Sequence, residues 1–399
     1  MRSISANSVT HCRPEHISDS MELFVIISGA LANKPGNGGN AWSRLSWVRG
    51  FQQLGCEVLF LEQLPAAIDS GARATSTKFF QEVMAAFGLE QKAALLAGNE
   101  VLYGPTLAEL VQSAKNSALL FNLSGHLTQP DLFAAAPCKV YYDDDPGFTQ
   151  FWHAAGQDAR LTGHDFHFTI GENIGSPDCA IPTGGIQWRH TRPPVVLEDW
   201  PACAPKPFDR FTTIASWRGA YGTVTHEGKT YGLKCHEFRK CFELPQRTEK
   251  QFEVALQIHP ADKKDLEALL GHGWKVIEPQ SIADTPETFR RYIQNSGAEF
   301  SPAQGIYVDT NSGWFSDRTV RYLASGRPAL VQETGFSQHI STGEGLISFR
   351  TLDEAVAGAE RIVRDYFAHC AAARRVVEEF FDARQVVRRL AGEIGLRLQ

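Results

Sequence analysis

The chain has 399 residues, of which 43% are hydrophobic, 11% aromatic and 21% charged, with 34 Gly and 20 Pro. At roughly 100–200 residues per domain this length sustains about two domains with cores of their own, and the composition excludes a disordered protein, a collagen, a coiled coil and a small disulfide-stapled domain. The formal net charge of -6, from 45 acidic and 39 basic residues, argues against a nucleic-acid backbone or an anionic membrane as main partner.

The cysteines Cys12, Cys56, Cys138, Cys179, Cys203, Cys235, Cys241 and Cys370 form no C-x-x-C pair. They are expected to be reduced thiols of a cytoplasmic protein, with no zinc site. Residues 1–20 lack the apolar core of a signal peptide and are expected to form a disordered leader. No run of about 18 apolar residues suggests a membrane-spanning helix.

The first ordered element is the apolar run Glu22 to Ser28, which has the character of a buried parallel strand. A Gly/Asn-rich loop, Lys34 to Asn40, follows. Ala41, Leu45, Val48, Phe51 and Leu54 then recur near the 3.6 period of a helix that ends at Gly55, before a second strand at Val58–Leu61. This is one βαβ unit. Further strands are expected at 118–123, 139–142 and 166–170, so that 21–195 forms one open α/β domain, in which 63–117 and 146–165 are read as loops. The prolines Pro193, Pro194, Pro201, Pro205 and Pro207 mark a linker. A second series of strands is expected at 211–215, 252–258, 275–277, 305–308, 329–331 and 346–349, with helices between them and a second domain at 208–370. A helical tail, 371–399, is expected to pack back across the domains, and its mixed Arg and Glu residues read as a solvated face. The fold expected is α/β, with two Rossmann-like doubly wound domains facing a central cleft.

Ligands of open α/β folds bind beyond the carboxyl ends of the strands, so motifs just after strands are the candidates. Gly36, Asn37, Gly38, Gly39 and Asn40 follow the first strand, where glycine lets backbone approach a ligand. Glu62, at the end of the second strand, is a ribose-binding candidate, although the loop is a poor dinucleotide fingerprint. Ser124-Gly125-His126 and Asp143-Asp144-Asp145 end later strands; His126, Asp143 and Asp145 are the candidate general bases. His164, His167 and His190 are read as structural. In the second half, Ser316 is placed to cap a short helix carrying Asp317, Arg318 and Arg321, and Gly326-Arg327-Pro328 stops it. Arg218 and Lys234 add positive charge suited to a diphosphate. Among the tryptophans, Trp217 and Trp314 are expected to face the cleft.

The order of pieces from Trp314 to Phe349, with the Leu-Ala-Ser-Gly-Arg-Pro helix stop, the strand, Glu333-Thr334-Gly335 and Gly343-Glu344-Gly345, resembles the nucleotide-sugar-binding half of GT-B glycosyltransferases. The Gly-rich loop followed by Trp42 to Leu54 is similar to their acceptor domain, so the resemblance spans most of 21–390. It implies a hexosyltransferase-like enzyme moving a sugar from a nucleoside-diphosphate sugar to a hydroxyl-bearing acceptor; because protein cations can do the work of Mg²⁺, no obligatory metal or other cofactor is expected. The donor is expected at Arg218, Lys234, Ser312, Gly313, Trp314, Ser316, Asp317, Arg318, Thr334 and Gly335. The acceptor is expected at Gly36 to Asn40, with Asp145 or His126 as base if the reaction inverts. Many retaining members carry glutamates where this chain has Arg321 and Gly313, so the stereochemistry is left open. A sugar epimerase or phosphorylase, a two-domain NAD-dependent oxidoreductase using Glu62, and a non-catalytic nucleotide- or sugar-binding protein are the alternatives. A modified-base acceptor also stays open.

Overall fold

The computed structural model describes residues 23–204 and 206–398; the leader expected at 1–20 lies outside the described residues. Strands β1 (Phe24–Ser28), β2 (Glu57–Leu64), β3 (Ala93–Ala97), β4 (Glu100–Tyr103), β5 (Leu119–Leu123), β6 (Lys139–Asp143), β7 (Phe166–Thr169) and β8 (Trp188–His190) form one sheet in the order β4-β3-β2-β1-β5-β6-β7-β8. Every pairing is parallel except β3 with β4. The order steps outward from β1 to both sides, which leaves a crevice between β1 and β5 at their carboxyl ends.

β9 (Phe211–Ser216), β12 (Phe252–Gln257), β13 (Lys275–Ile277), β14 (Ala298–Ser301), β15 (Ala329–Gln332) and β16 (Leu346–Phe349) form the second sheet, ordered β13-β12-β9-β14-β15-β16 and wholly parallel. A hairpin of β10 (Val224–His226) and β11 (Lys229–Tyr231) is inserted after β9. The two doubly wound sheets expected from the sequence are therefore present.

Helix Gly38–Gln52 explains itself locally. Asn37 caps it by accepting the Asn40 N–H at 2.9 Å, and Ala41, Leu45, Val48 and Phe51 face the core. Gly50 leaves room for the last helix, Ala383–Glu393, since a Cβ there would sit 3.0 Å from Val387. That helix buries Val386, Val387, Leu390 and Ala391 in the first domain's core. The crossing is tied down by the linker: Val195 donates to the Phe381 carbonyl and accepts from the Ala383 N–H, both at 2.9 Å. Two hydrophobic clusters join the halves, one around Trp42, Trp200, Phe289 and Phe315, the other around Phe148, Phe151, Tyr231, Ile306 and Tyr307.

Several expectations fail. Residues 305–308 are not a strand but a short helix, Gly305–Asp309; an apolar run of this length does not distinguish a buried strand from a buried helical turn. The strand that belongs here, β14, escaped notice because Glu299 interrupts its apolar character. Residues 63–117 are not loop but carry helices Ser70–Ala86 and Leu107–Asn116 beside β3 and β4. Cys138 is disulfide-bonded, so the thiols are not all reduced. Among the described residues no helix is long and apolar enough to cross a membrane.

Candidate active site

A cleft of about 740 Å³ lies between the carboxyl ends of the two sheets. Its first-domain wall comprises Lys34 to Asn37, Gly39, Asn40, Ser43, Arg44 and Trp47, with Leu123, Tyr142, Asp144, Asp145 and Ile170 from strand ends. The second-domain wall comprises Ile214 to Ser216, Gly219, Ala220, Leu256 to Ile258, Glu278 to Gln280, and Trp314, Asp317, Arg318 and Arg321. Lining charges balance, with Lys34, Arg44, Arg318 and Arg321 against Asp144, Asp145, Glu278 and Asp317.

The loop after β1 is held by Glu62. Its buried carboxylate accepts the backbone N–H groups of Leu31, Ala32 and Asn33 at 2.8, 2.7 and 2.9 Å. Burial pushes this carboxyl up to about 7, against the three hydrogen bonds. Glu62 is thus a loop anchor, and the carboxylate that the oxidoreductase reading needs for a ribose is already occupied. Asn40 donates to the Ala30 carbonyl at 2.7 Å, which fixes the loop's far end. Gly36, Asn37, Gly39 and Asn40 line the cleft, whereas Gly38 does not. A Cβ on Gly38 would sit 2.0 Å from the Thr285 carbonyl oxygen and one on Gly39 would sit 2.8 Å from the Phe289 ring. These glycines serve the contact between domains as much as any ligand.

The three aspartates at the end of β6 have separate fates. Asp143 is fully buried, accepting from Thr149 Oγ1, Gln150 Nε2 and Thr169 Oγ1, each at 2.8 Å. It ties β6, β7 and the next helix together outside the cleft lining; burial raises it to about 6. Asp144 pairs with Arg44 at 3.0 Å and accepts from the Ser124 hydroxyl. Burial raises its carboxyl, but the Arg44 charge and the Ser124 bond outweigh this and hold it below the usual range. Asp145 opens onto the cleft, where burial and then the charges of Asp144 and Asp143 push it up to about 7, despite Lys34 and the Tyr307 hydroxyl. A carboxylate poised there suits a general base at neutral pH. His126 does not line the cleft, and burial with the Arg44 charge pushes its imidazole down to about 4, which makes it a weak base.

The second domain redistributes the expected donor residues. Arg218 is half-exposed and clamps Asp262 at 2.7 and 2.8 Å outside the lining. Trp217 is buried and donates to Asp265, so it does not face the cleft either. Lys234 is not part of the cleft lining; burial and the Arg318 charge push its amine down to about 7. Arg318 lines the cleft, with its donors directed to Glu299 at 2.6 Å, the Ile214 carbonyl at 2.9 Å and Ser301 at 2.9 Å. Ser316 begins the helix without a side-chain capping bond. Its neighbour Asp317 accepts from Ser43 of the first domain and from Arg321 at 3.0 Å. Ser312, Gly313, Thr334 and Gly335 are buried behind the cleft. Gly313 faces the first domain, where a Cβ would sit 2.8 Å from the Asn173 nitrogen. At Gly335 a Cβ would meet the Asn173 and Asn311 side chains at 2.3 Å. Trp314 does line the cleft, stacked on Tyr307 at 4.4 Å.

The structure therefore brings Gly36, Asn37, Gly39, Asn40, Asp145, Trp314, Asp317 and Arg318 together and leaves Gly38, His126, Asp143, Arg218, Lys234, Ser312, Gly313, Ser316, Thr334 and Gly335 outside the lining. Ser43 and Arg44 are cleft residues that sequence reasoning missed. Arg44 carried one signal: a charged residue on the apolar face of a helix needs a partner. Among the described residues no three His, Cys, Asp or Glu side chains are grouped to hold a metal ion.

The sequence matches no protein-family model and no curated protein. Solved structures do match. An alpha-glucosyltransferase in complex with UDP and a 13-mer DNA containing a central A:G mismatch superimposes at a TM-score of 0.59 with 10% identity, covering 94% of this chain and 100% of that one. Anabaena HepE in complex with UDP-glucose matches at 0.56 with 11% identity, covering 94% and 100%. AviGT4, a glycosyltransferase involved in avilamycin A biosynthesis, matches at 0.52 with 14% identity, covering 94% and 97%. Together with the two parallel sheets and the cleft between them, these likenesses establish that the chain has the GT-B fold of glycosyltransferases.

Proposed function

We propose that this protein transfers a sugar from a nucleoside-diphosphate sugar to a hydroxyl group, with inversion at the anomeric carbon and Asp145 as the base. The observation that carries the reading is Asp145 itself: a carboxyl pushed up to about 7, at the carboxyl end of β6, in a cleft it shares with the carboxyl ends of β9 and β12. In this reading the acceptor lies against Asn37, Asn40 and Asp145. Its hydroxyl oxygen attacks the anomeric carbon while its proton passes to Asp145, and the bond from that carbon to the diphosphate oxygen breaks. The leaving diphosphate meets the Ser216–Ala220 loop beside Arg318, which lines the cleft while paired with Glu299, where charge develops in the transition state.

Inversion is favoured by the residues at two positions. The resemblance places Gly313 and Arg321 where many retaining GT-B enzymes carry glutamates, and Arg321 is committed to Asp317. The neighbours bound to UDP or UDP-glucose support a nucleotide-sugar donor. The balanced charge of the cleft suits a small polar acceptor better than a polyanion. The reaction is proposed to need no metal, since protein cations supply the neutralisation; loss of turnover in EDTA with recovery in Mg²⁺ would overturn that element. The reading as a whole is tested with a panel of nucleotide sugars, by following release of nucleoside diphosphate with and without hydroxyl acceptors. Acceptor-dependent release that Asp145→Asn abolishes, with donor affinity retained, supports it; release indifferent to Asp145 contradicts it.

A further inference from the structure

Asp145 belongs to the first domain, yet its only side-chain hydrogen-bond partner among the described contacts comes from the second. Tyr307, on the short helix Gly305–Asp309 after β14, donates its hydroxyl to Asp145 Oδ1 at 3.1 Å. The tyrosine is 2% exposed and held on two sides, stacked on Trp314 at 4.4 Å and 27° and edge-on to Phe148 of the first domain at 6.3 Å. Ile306, the preceding residue, sits in the hydrophobic cluster that joins the domains. The phenol therefore has one orientation, and it spans the boundary between the acceptor and donor halves.

We infer that Tyr307 is a positioning residue for the reaction: it holds the carboxylate of Asp145 from the opposite domain, so that the base is oriented only while the two domains are together. The inference rests on the reading of Asp145 as the base. Trp314 lines the cleft and stacks on Tyr307, so a substrate seated against Trp314 presses on the group that orients the base. Substrate occupancy and the state of the base are thereby linked through two stacked rings. The helix carrying Tyr307 was read from sequence as a strand, which would have pointed alternate residues to opposite faces; as a helical turn it buries Ile306 and Tyr307 together.

The pH consequence follows from the groups around Asp145. On its own segment Asp143 and Asp144 oppose its ionisation, Lys34 from the loop after β1 favours it, and Tyr221 from the loop after β9 lies within its field. The Tyr307 hydroxyl donates to the ionised form and so also favours it. Removing that hydroxyl must raise the pH at which the base becomes available. A hydrogen bond to a charged group of this kind is worth about one pH unit on the acid limb of the kcat profile.

Tyr307→Phe keeps both ring contacts and deletes only the donor. The expected result is a kcat about tenfold lower on the acid limb, converging with wild type near pH 9, with the donor KM unchanged. Introduced into Asp145→Asn, the same substitution should cost nothing further, because the group it acts through is gone. A Tyr307→Phe enzyme with the wild-type kcat profile, while Asp145→Asn is inactive, overturns the positioning role and leaves the base assignment standing. An Asp145→Asn enzyme that keeps wild-type turnover overturns the assignment and the positioning role with it. A uniform loss at all pH values with a lowered melting temperature would make Tyr307 merely structural, and would also overturn the proposal.

Discussion

Asp145→Asn should make the protein inactive and more stable at the same time. The carboxyl is raised from an ordinary 3.8 to about 7, so the folded state prefers it protonated. Its contribution to stability is then complete below pH 3.8 and is lost as the pH rises through 7. Three units at about 1.4 kcal/mol each set an upper bound of about 4 kcal/mol for the cost of ionising it in the fold. Because the side chain opens onto a solvated cleft, screening cuts this to roughly 1–2 kcal/mol. Asparagine has the same shape, keeps an oxygen for the Tyr307 hydroxyl, and carries no charge beside Asp143 and Asp144. Differential scanning fluorimetry at pH 8 should show a melting temperature a few degrees above wild type, and at pH 5 the gain should be less than half as large. Turnover should fall by about 10²–10⁴-fold, the usual range for a lost general base. A melting temperature that drops at pH 8, or a gain equal at both pH values, would refute the idea that burial of this charge is what tunes the base.

Arg218→Ala should leave donor affinity within about twofold of wild type by calorimetry, because the guanidinium is committed to Asp262 away from the cleft and surface pairs contribute about 0–1 kcal/mol; a clear loss of affinity would return it to the donor site. Arg318→Ala should cost about 3–5 kcal/mol in a urea melt, since it strands the wholly buried Glu299; unchanged stability would show that Glu299 has another way to be satisfied. Glu62→Gln sets an amide donor against one of the three N–H groups of residues 31–33. It should lower stability by about 1–3 kcal/mol and speed hydrogen exchange of that loop, and protection at the wild-type level would contradict the anchoring role.

What the sequence disclosed followed from periodicity and position. The apolar runs of β1, β5 and β15 and the helical spacing from Ala41 to Leu54 are dictated by burial on two-sided sheets, and they placed the Gly36–Asn40 loop and Asp145 at strand ends. What it hid was pairing across the chain. Arg318 and Arg218 are alike as sequence, yet Glu299 buries one and Asp262 holds the other at the surface. Ser312, Gly313, Thr334 and Gly335 look like a ligand loop, but the missing side chains of Gly313 and Gly335 serve the approach of Asn173 from the other domain. Glu62 sits where a ribose carboxylate would be expected and turns inward to three backbone N–H groups. Tyr307 gave no signal, because its partner lies 162 residues away.

Slow hydrolysis of the donor, with water standing in for the acceptor, tests the central claim without knowledge of the acceptor. Proton NMR of the first sugar released from a bound nucleoside-diphosphate sugar should show the anomer opposite to that of the donor, formed by the wild-type protein and not by Asp145→Asn. Release of the same anomer would contradict inversion, and failure of every nucleotide sugar tested to bind at millimolar concentration would contradict the account of the cleft itself.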